Sequence, residues 1–371
     1  MRVLFCTNLP SPYRVDFFNE LGKYCELTVC YERRASSERN SKWIGKEAHC
    51  FKEEYLNLKL VGADRSKGSD LRKFVKDNTF DIIIFTNYVS ESCIEAILFC
   101  KIKGIPYCIE YDGGFNKKDR LPKKLFKQFL LKKAKAHFTT CDRHIVYLEY
   151  LGIERKKIHK YPFTSLTKEN LHEALKKRRE KITYRRTLGM KEDQIVISVG
   201  RFSYNKGYGK GYDVLMKIAE RMSGETGFYI IGDEPTKEFI DWKEEKQLSN
   251  VHFIGFKTKD ELGIYYAAAD AFVLLSRGDI WGLVVNEAMS YKLPVITTED
   301  CMAGTELVKN GYNGYLVDLN NLDNIKEKID LVVSSEINKA YGNRSAEIIS
   351  QYTIEKMVEI HMIYFKELIQ K

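Results

Sequence analysis

The sequence predicts an α/β protein made of two doubly wound domains. Three observations predict this fold class: the length, the continuous apolar character of the short strand-like runs, and their alternation with helical patterns. At 371 residues the chain exceeds what one hydrophobic core usually serves. Its composition, 44% apolar and 12% aromatic, excludes a disordered chain.

The first half begins the alternation. Short apolar runs at 3–6, 81–85 and 137–141 each precede a helical pattern. Such runs are typical of strands in a parallel sheet that helices cover on both faces. Repetition of strand, helix and strand implies right-handed crossovers, so we expect a first domain over 1–170.

The alternation restarts after a basic helical stretch at 168–187. Further apolar runs, such as IVISVG at 195–200, predict a second α/β domain over 190–353. The tail, 354–371, has the periodicity of a long amphipathic helix, which we expect to pack back on the first domain. We expect the two domains to face each other across a crevice at the carboxyl ends of their strands.

The amino terminus and the cysteines bear on the cellular compartment. No run approaches the roughly 18 apolar residues of a membrane-spanning helix, and MRVLFCTNLPSPYR predicts a first strand rather than a signal peptide. Nine scattered cysteines without a C-x-x-C pair are typical of small buried hydrophobes in a reducing compartment. We therefore expect a soluble cytoplasmic protein without disulfides, structural metal or other cofactor.

The charge is concentrated in the first half. Residues 1–180 carry 36 Lys and Arg against 23 Asp and Glu, whereas the remainder carries 24 against 28. The stretch 117–135 has nine basic residues and one Asp, with Leu125, Phe126, Phe129 and Leu130 at helical spacing. This pattern is typical of a basic helix resting peripherally on an anionic membrane surface, and equally of a surface helix with solvated lysines. Nucleic-acid binding is disfavoured because no recognised motif accompanies the charge.

A glycine-rich loop in the second half is the first candidate site. The buried strand ends at Gly200, and glycines at 207, 209 and 211 lead into a helix that begins near Asp213. Glycines let the backbone approach a ligand closely, and a helix start presents unpaired N–H groups and partial positive charge. With Arg201 and Lys206 the loop suits a diphosphate. The alternative is a flexible loop whose basic residues face water.

Two carboxylates form the second candidate site. Asp279 follows a buried strand, and Glu287 lies eight positions later within an apolar helix. Hydroxyl groups of a sugar or ribose are suitable partners for buried carboxylates. The loop amides at Ile280, Trp281, Gly282 and Leu283 are expected to point into the same crevice. Taken singly, Asp279 could be a helix N-terminal charge and Glu287 a salt-bridge partner of a nearby lysine.

Together these motifs resemble those of the retaining glycosyltransferases of family 4, which share the two-domain GT-B fold. The resemblance spans the chain but is sharp only in the second half. Four motifs match those of the family: G-R-F-x-x-x-K-G from Gly200, D-I-W-G-L-V-V-N-E-A-M from Asp279, P-V-I-T-T from Pro294 and A-G-T-E-L-V-K-N-G-Y-N-G from Ala303. It implies a nucleotide-sugar donor, most simply a UDP-sugar, retention of anomeric configuration, and no need for a metal ion.

The resemblance also implies roles for individual residues. Arg201 and Lys206 would stabilise the charge growing on the leaving diphosphate. Asp279 and its loop amides would hold hydroxyls of the transferred sugar, and Glu287 the donor ribose. Gly255 and Phe256 would contact the nucleobase of the donor. Gly304 and Thr305, in the loop after Thr298, would approach its diphosphate.

The sequence departs from the family pattern in three places. Asp279 stands where Glu is usual. An insertion of four residues brings a second Lys-Gly pair, so Lys210 competes with Lys206; spacing from Arg201 favours Lys206, and spacing to the helix favours Lys210. In the first domain, N-L-P-S-P-Y-R at 8–14 replaces the usual Gly-rich loop after the first strand, and the family's His near the end of a strand is not evident. At that place the stretch 108–115 offers Glu110 and Asp112 for orienting or deprotonating the acceptor, although both could equally be turn residues.

The sequence therefore predicts a glycosyltransferase that extends a glycan or polyisoprenyl-linked glycan of a bacterial surface polysaccharide, at the inner face of the cell membrane. The competing readings are a sugar-nucleotide epimerase on the same fold and a non-catalytic partner subunit. An epimerase would isomerise a nucleotide sugar without an acceptor. A scaffold would have no use for a diphosphate clamp.

Overall fold

A computed structural model describes residues 1–34, 47–62, 65–114, 119–222 and 224–370. The chain divides into two compact units: Met1–Ser165 with Ile354–Lys371, and Leu166–Thr353. The first domain was expected to reach residue 170 and the second to begin at 190; the division lies at 165/166 because the basic stretch at 168–187 packs with the second unit. Three residues of the predicted segments, Phe115, Lys117 and Lys118, lie outside the described residues, as does Lys371.

The first unit is built on a parallel sheet. Its strands are β1 Arg2–Thr7, β2 Glu26–Tyr31, β3 Lys52–Tyr55, β4 Lys59–Gly62, β5 Arg65–Lys67, β6 Ile82–Phe85, β7 Cys108–Glu110, β8 His137–Thr139 and β9 Ile158–Lys160. Its helices before residue 166 are α1 Pro12–Leu21, α2 Asp70–Asp77, α3 Glu91–Lys103, α4 Leu121–Leu131 and α5 Asp142–Tyr150. Seven strands pair in parallel in the order β3-β2-β1-β6-β7-β8-β9, and β4 pairs antiparallel with β5. The sheet is doubly wound, as predicted.

The second unit repeats this architecture. Its strands are β10 Gln194–Val199, β11 Thr226–Ile231, β12 Val251–Ile254, β13 Ala271–Leu274, β14 Val295–Thr297 and β15 Gly314–Leu316. Its helices are α6 Lys168–Arg179, α7 Lys181–Thr187, α8 Tyr212–Ala219, α9 Lys237–Glu245, α10 Lys259–Ala268, α11 Leu283–Ser290, α12 Met302–Leu307, α13 Leu322–Val333 and α14 Ser335–Ile349. The six strands run parallel in the order β12-β11-β10-β13-β14-β15.

Strand order in the second unit reverses between β10 and β13. These two strands are paired in the sheet, but the chain leaves β10 toward β11 on one side and leaves β13 toward β14 on the other. Loops that leave such a pair of strands diverge and leave a crevice at the carboxyl ends, where α/β proteins bind ligands. The loops after Val199 and after Leu274 therefore meet at one edge of this unit.

Helices α6 and α7 dock on the second unit through one buried carboxylate. Asp270 precedes β13 and accepts hydrogen bonds from Lys181, Arg185 and the backbone N–H of Ile195, the last at 2.7 Å. Arg178 adds a bond of 2.8 Å to the carbonyl of Ala267. Because the carboxylate is nearly excluded from water, these cations are required to offset its desolvation. The basic stretch is consequently part of the second unit rather than a linker.

The carboxyl-terminal helix α15, Ile354–Gln370, returns to the first unit and packs on α1. Its His361 is fully buried, and its Nε2 lies 3.0 Å from Oε2 of Glu110 at the end of β7. The same carboxylate is ion-paired with the buried Arg14 of α1. Burial opposes ionisation of Glu110, but Arg14 and His361 outweigh it and lower its pKa to about 2. One buried carboxylate thus joins α1, β7 and α15.

Replacing Arg14 with Met is expected to lower the free energy of unfolding by about 3–5 kcal/mol, because Glu110 is left charged, buried and short of its cation. Urea unfolding followed by circular dichroism measures this. Arg2→Met is the matched control, since Arg2 pairs with Glu26 at 3.6 Å on the surface of the same unit and should cost under about 1 kcal/mol. Equal effects of the two substitutions would contradict the assignment.

Candidate functional site

The loop after β10 leaves its strand in a crowded position. The backbone N–H of Gly200 bonds to the carbonyl of Ile231 at 3.0 Å. A Cβ on Gly200 would lie 2.9 Å from the Tyr212 hydroxyl, and one on Gly232 would lie 1.9 Å from the carbonyl oxygen of Gly200. Both positions therefore require glycine for close approach of the backbone. Arg201, directly after Gly200, is half-buried at this edge.

A carboxylate from the neighbouring strand fixes the next turn. Asp233, two residues after β11, accepts hydrogen bonds from the backbone N–H groups of Phe202 and Ser203, the latter at 3.1 Å. The loop from Gly200 to Lys210 thus begins in a defined conformation. Sequence reasoning missed Asp233; the available signal was an acidic residue directly after a buried strand that is adjacent to β10.

A bidentate ion pair joins the two switch-point loops. Arg277, which follows β13, places Nη1 2.6 Å from Oδ1 and Nη2 2.8 Å from Oδ2 of Asp213 in the first turn of α8. The Arg277 guanidinium also donates to the carbonyl of Tyr208 at 2.7 Å. Bidentate Arg–carboxylate pairs fix orientation as well as distance. The loop that carries Lys210 and the loop that carries Asp279 are held together by this contact.

Lys210 and Asp279 meet in the space between these loops. Nζ of Lys210 lies 2.5 Å from Oδ2 of Asp279, and both side chains are largely buried. The aliphatic part of Lys210 passes Gly200, whose hypothetical Cβ would be 3.0 Å from its Cγ. A cation is thereby held at the carboxyl end of β10, next to a backbone without side chains.

Lys206, which spacing from Arg201 favoured, lies elsewhere in the loop. It is exposed and has φ 52°, in a kink between two short helical turns within Tyr204–Lys210. The insertion lies in this part of the loop, so the Lys-Gly pair that enters α8 is Lys210 with Gly211. A Cβ on Gly211, at φ 71°, would fall 1.9 Å from the carbonyl oxygen of Leu275. The structure brings Lys210, and not Lys206, to Asp279.

The segment after Asp279 is anchored through its backbone. The N–H of Asp279 bonds to the carbonyl of Asp300 at 2.8 Å, and the N–H of Ala303 bonds to the carbonyl of Trp281 at 2.8 Å. Trp281 is buried and donates from Nε1 to Asn286, whereas Ile280 is exposed. Gly282, at φ 97°, ends the segment, and Leu283 begins α11 half-buried.

Glu287 lies in the second turn of α11 and is half-buried. Its Oε2 accepts a hydrogen bond of 3.2 Å from the hydroxyl of Tyr266, a buried residue of α10. Burial, followed by the nearby Glu287 charge, raises the pKa of Tyr266, so the tyrosine stays a donor. The sequence suggested a lysine as the alternative partner of Glu287, and the structure adds a tyrosine hydroxyl that was not predicted. Tyr266 was not identified from the sequence because a tyrosine in an apolar helix is usually interpreted as a residue of the hydrophobic core.

Gly304 and Thr305 lie in helix α12 and not in a loop as predicted. A Cβ on Gly304 would come within 2.4 Å of Cγ2 of Thr297, so this glycine allows α12 to pack against β14. Thr305 donates its hydroxyl to the carbonyl of Met302 at 2.9 Å. These contacts account for both residues by packing within the unit.

Gly255 and Phe256 directly follow β12 and are half-buried. They therefore lie at the same edge of the sheet as Gly200, two strands away from β10 in the strand order. A Cβ on Gly255 would meet the side chain of Glu234 at an ordinary 3.5 Å. Crowding therefore does not require glycine here.

The two acceptor-side candidates of the first unit differ in their surroundings. Glu110 has no exposed surface, and its carboxylate is engaged by Arg14 and His361. Asp112, two residues later, is about one-third exposed and also pairs with Arg14; it accepts a bond of 3.1 Å from the Tyr13 hydroxyl. Glu110 is therefore a structural residue of the buried network rather than one that can meet a ligand, and Asp112 is at the surface of that network.

Among the described residues, no cluster of three or more His, Cys, Asp or Glu is arranged to hold a metal ion. The helices traced in these same residues include none with the length and apolarity that crossing a bilayer requires.

Comparisons with known proteins are consistent with this geometry. Residues 180–353 match the family model of glycosyl transferases group 1. An uncharacterised 41.2 kDa protein of the cps region of Klebsiella pneumoniae is 28% identical over 272 residues, 70% of this chain and 71% of that protein. An uncharacterised glycosyltransferase of Methanocaldococcus jannaschii is 32% identical over 151 residues, 40% of this chain and 42% of that protein.

The first three curated relatives are each matched over less than half of their length, at 42%, 48% and 47%. A crystal structure of Anabaena Alr3699/HepE in complex with UDP has 16% identity and a TM-score of 0.76 over the whole of both chains. That likeness confirms the predicted GT-B fold class of two parallel-sheet α/β units. Residues 180–353, which hold the switch-point loops, Lys210, Asp279 and Glu287, are thus the part of the chain that is similar to the glycosyl transferases group 1.

Proposed function

We propose that the protein is a retaining glycosyltransferase that moves a sugar from a UDP-sugar to a glycan or lipid-linked glycan of a bacterial surface polysaccharide. The observation that carries the proposal is the Lys210–Asp279 pair at the β10–β13 switch point, within the residues that match glycosyl transferases group 1. The UDP in the Anabaena structure and the cps region of the Klebsiella relative support the donor and the pathway.

In this proposal Lys210 binds the diphosphate of the donor. It has the features the role requires: a cation at the end of a buried strand, beside glycines that let phosphate oxygens approach the backbone. Arg201 supplies a second cation from the same strand end. Both favour departure of the nucleoside diphosphate because its negative charge grows as the bond to the sugar breaks.

Asp279 and Glu287 bind hydroxyls of the donor. Asp279 reaches the sugar with the carboxylate that also holds Lys210, so the sugar and diphosphate sites share one ion pair. Glu287 receives the Tyr266 hydroxyl on Oε2, which fixes its rotamer, and it binds the ribose. The exposed Ile280 and the half-buried Phe256 border the sugar and base positions of the donor.

On the acceptor side, Asp112 is the residue that orients the acceptor hydroxyl. Glu110 is excluded from this role by its complete burial, whereas Asp112 is partly exposed beside it. Arg14 and Tyr13 both donate to Asp112, which fixes the direction of its carboxylate. Glu110 contributes only by fixing Arg14.

Helix α4 binds the anionic membrane surface that holds a lipid-linked acceptor. Four large apolar side chains on it are exposed, between 47% and 66%: Leu121, Leu125, Phe126 and Phe129. Lysines at 132, 133 and 135 follow at its end and are exposed. Apolar residues flanked by lysines match an interface of acyl chains and anionic headgroups. A solvated surface helix would have fewer apolar side chains in water.

The donor is tested by thermal-shift measurements with UDP, GDP and ADP and with the corresponding sugar nucleotides. UDP at about 100 times its dissociation constant should stabilise the protein by about 2.7 kcal/mol. Chromatography of the incubated UDP-sugar then separates the alternatives. Isomerised donor without acceptor indicates an epimerase, and absence of binding by every nucleotide contradicts the proposal and favours a non-catalytic subunit.

The diphosphate contact is tested by Lys210→Met, with Lys206→Met as a matched control in the same loop. Loss of a charge-assisted bond should lower kcat/KM for the sugar nucleotide by about 10- to 100-fold in Lys210→Met. Lys206→Met should stay within about twofold of the unchanged protein. A larger effect at Lys206 than at Lys210 would show that the exposed lysine performs the contact.

Membrane binding is tested by sedimentation with vesicles that contain an anionic phospholipid. The double change Phe126→Ser and Phe129→Ser should reduce the bound fraction by about tenfold or more, since two apolar side chains no longer insert. Ile182→Ser, at an equally exposed position of α7, is the control and should leave binding unchanged. Raising the salt concentration should weaken binding of the unchanged protein; equal binding of all three proteins would contradict the assignment of α4.

A further inference from the structure

The insertion between Phe202 and Lys210 contains a strained turn. Asn205 and Lys206 have left-handed backbones at φ 51° and 52°, and Gly207 follows at φ 87°. A left-handed conformation is unfavourable for residues with a Cβ, and two in succession persist only where surrounding contacts enforce them. The contacts that hold this turn therefore indicate what it does.

The outer side of the insertion is anchored on α9. The hydroxyl of Tyr208 donates to Glu238, and Gly207 packs so closely that a Cβ would lie 2.9 Å from the ring of Phe202 and 3.0 Å from that of Phe239. Neither of these contacts includes Lys210 or Asp279. They hold the turn without touching the Lys210–Asp279 pair.

The inner side is anchored by Tyr204. Its hydroxyl donates to the carbonyl of Gly278 at 3.1 Å, one residue before Asp279. Its ring lies directly against Gly209, where a Cβ would come within 2.3 Å of Cδ1. Nζ of Lys210 is 5.4 Å from the centroid of the same ring, within the range of a cation–π contact. Tyr204 thus contacts the residues that immediately precede both members of the ion pair.

We propose that Tyr204 is a positioning residue that holds Lys210 and Asp279 at the positions from which Lys210 binds the donor diphosphate. The inference rests on the proposed function. The hydroxyl fixes the backbone that carries Asp279, and the ring limits the rotamers of the flexible Lys210 side chain. A lysine that is already ordered loses less conformational entropy when it binds a phosphate oxygen.

The strained turn follows from this role. The ring of Tyr204 has to reach back over Gly209 to lie beside Lys210, so the chain between Tyr204 and Gly209 reverses direction within four residues. Left-handed conformations at Asn205 and Lys206 achieve that reversal. The insertion therefore adds an aromatic side chain to the proposed diphosphate site. The residues at the tip of the insertion, Asn205 and Lys206, are exposed.

The test compares Tyr204→Phe with Tyr208→Phe in the full chain. Each change removes one hydroxyl and keeps the ring, and the two residues lie in the same loop on either side of its kink. In the ligand-free protein, hydrogen exchange should become about threefold faster or more at the amides of 276–280 in Tyr204→Phe, and should be unchanged there in Tyr208→Phe. Unchanged exchange in Tyr204→Phe would overturn the proposal.

Calorimetric titration with UDP provides the second readout. Tyr204→Phe should weaken UDP about 3- to 10-fold with little change in Tm, whereas Tyr208→Phe should leave the affinity within about twofold. In a Lys210→Met background the further loss from Tyr204→Phe should fall below about twofold, because the positioned group is absent. A loss of the same size in both backgrounds overturns the proposal, since Tyr204 would then act independently of Lys210.

The two proposals fail in distinguishable ways. If the unchanged protein binds neither UDP, GDP nor ADP, the proposed function fails, and hydrogen exchange in the ligand-free protein still decides whether Tyr204 orders the Asp279 loop. If UDP binds and Tyr204→Phe behaves like Tyr208→Phe, the donor assignment stands and the positioning role of Tyr204 is wrong.

Discussion

The divergence of the chain at paired strands β10 and β13 is the constraint on which the second unit depends. Because the two strands are adjacent and their crossovers proceed in opposite directions along the sheet, their loops meet only at the carboxyl edge. The Arg277–Asp213 pair fixes the distance between the loops, and Gly200 and Gly211 let backbones approach closely there. The contact of Lys210 with Asp279 follows from that arrangement.

The first unit depends on a buried network of charged side chains. Its sheet ends carry buried charges, and an isolated buried carboxylate is strongly unfavourable. Glu110 is stable because Arg14 from α1 and His361 from α15 reach it from opposite ends of the chain. Asp112 shares the same guanidinium at the surface. The network that holds the carboxyl-terminal helix is thus continuous with the candidate acceptor residue, because Arg14 pairs with both carboxylates.

Local patterns in the sequence predicted the architecture well because both sheets are parallel and buried. Continuous apolar runs marked strands such as β10 and β13, and the amphipathic period marked α15. The site was harder to predict, since side-chain identity alone does not specify distance. Spacing along the chain left Lys206 and Lys210 in competition, because an insertion lengthens the loop without moving the strand or the helix.

Two other candidate residues have surroundings that local patterns did not predict. Glu110 was considered as an acceptor-side residue or as a turn residue, whereas it is buried at the end of β7, and its partner His361 lies 251 positions away, where no local pattern can indicate it. Gly304 was expected in a loop, whereas it is a helical residue whose missing Cβ admits Thr297. The first contact joins elements that are distant in sequence, and the second depends on how consecutive elements pack.

The ion pair between Lys210 and Asp279 raises the question of how a lysine that is already paired with a carboxylate can also bind an anion. An ammonium group has three N–H donors that point in different directions, and a carboxylate 2.5 Å away engages one of them. The pair therefore orients the other donors rather than consuming the group. The shorter Asp, in place of the usual Glu, suits this arrangement because fewer rotatable bonds leave its carboxylate better fixed. In the proposed function a phosphate oxygen would therefore meet an ordered cation, and the lysine would have little rotamer freedom left to lose.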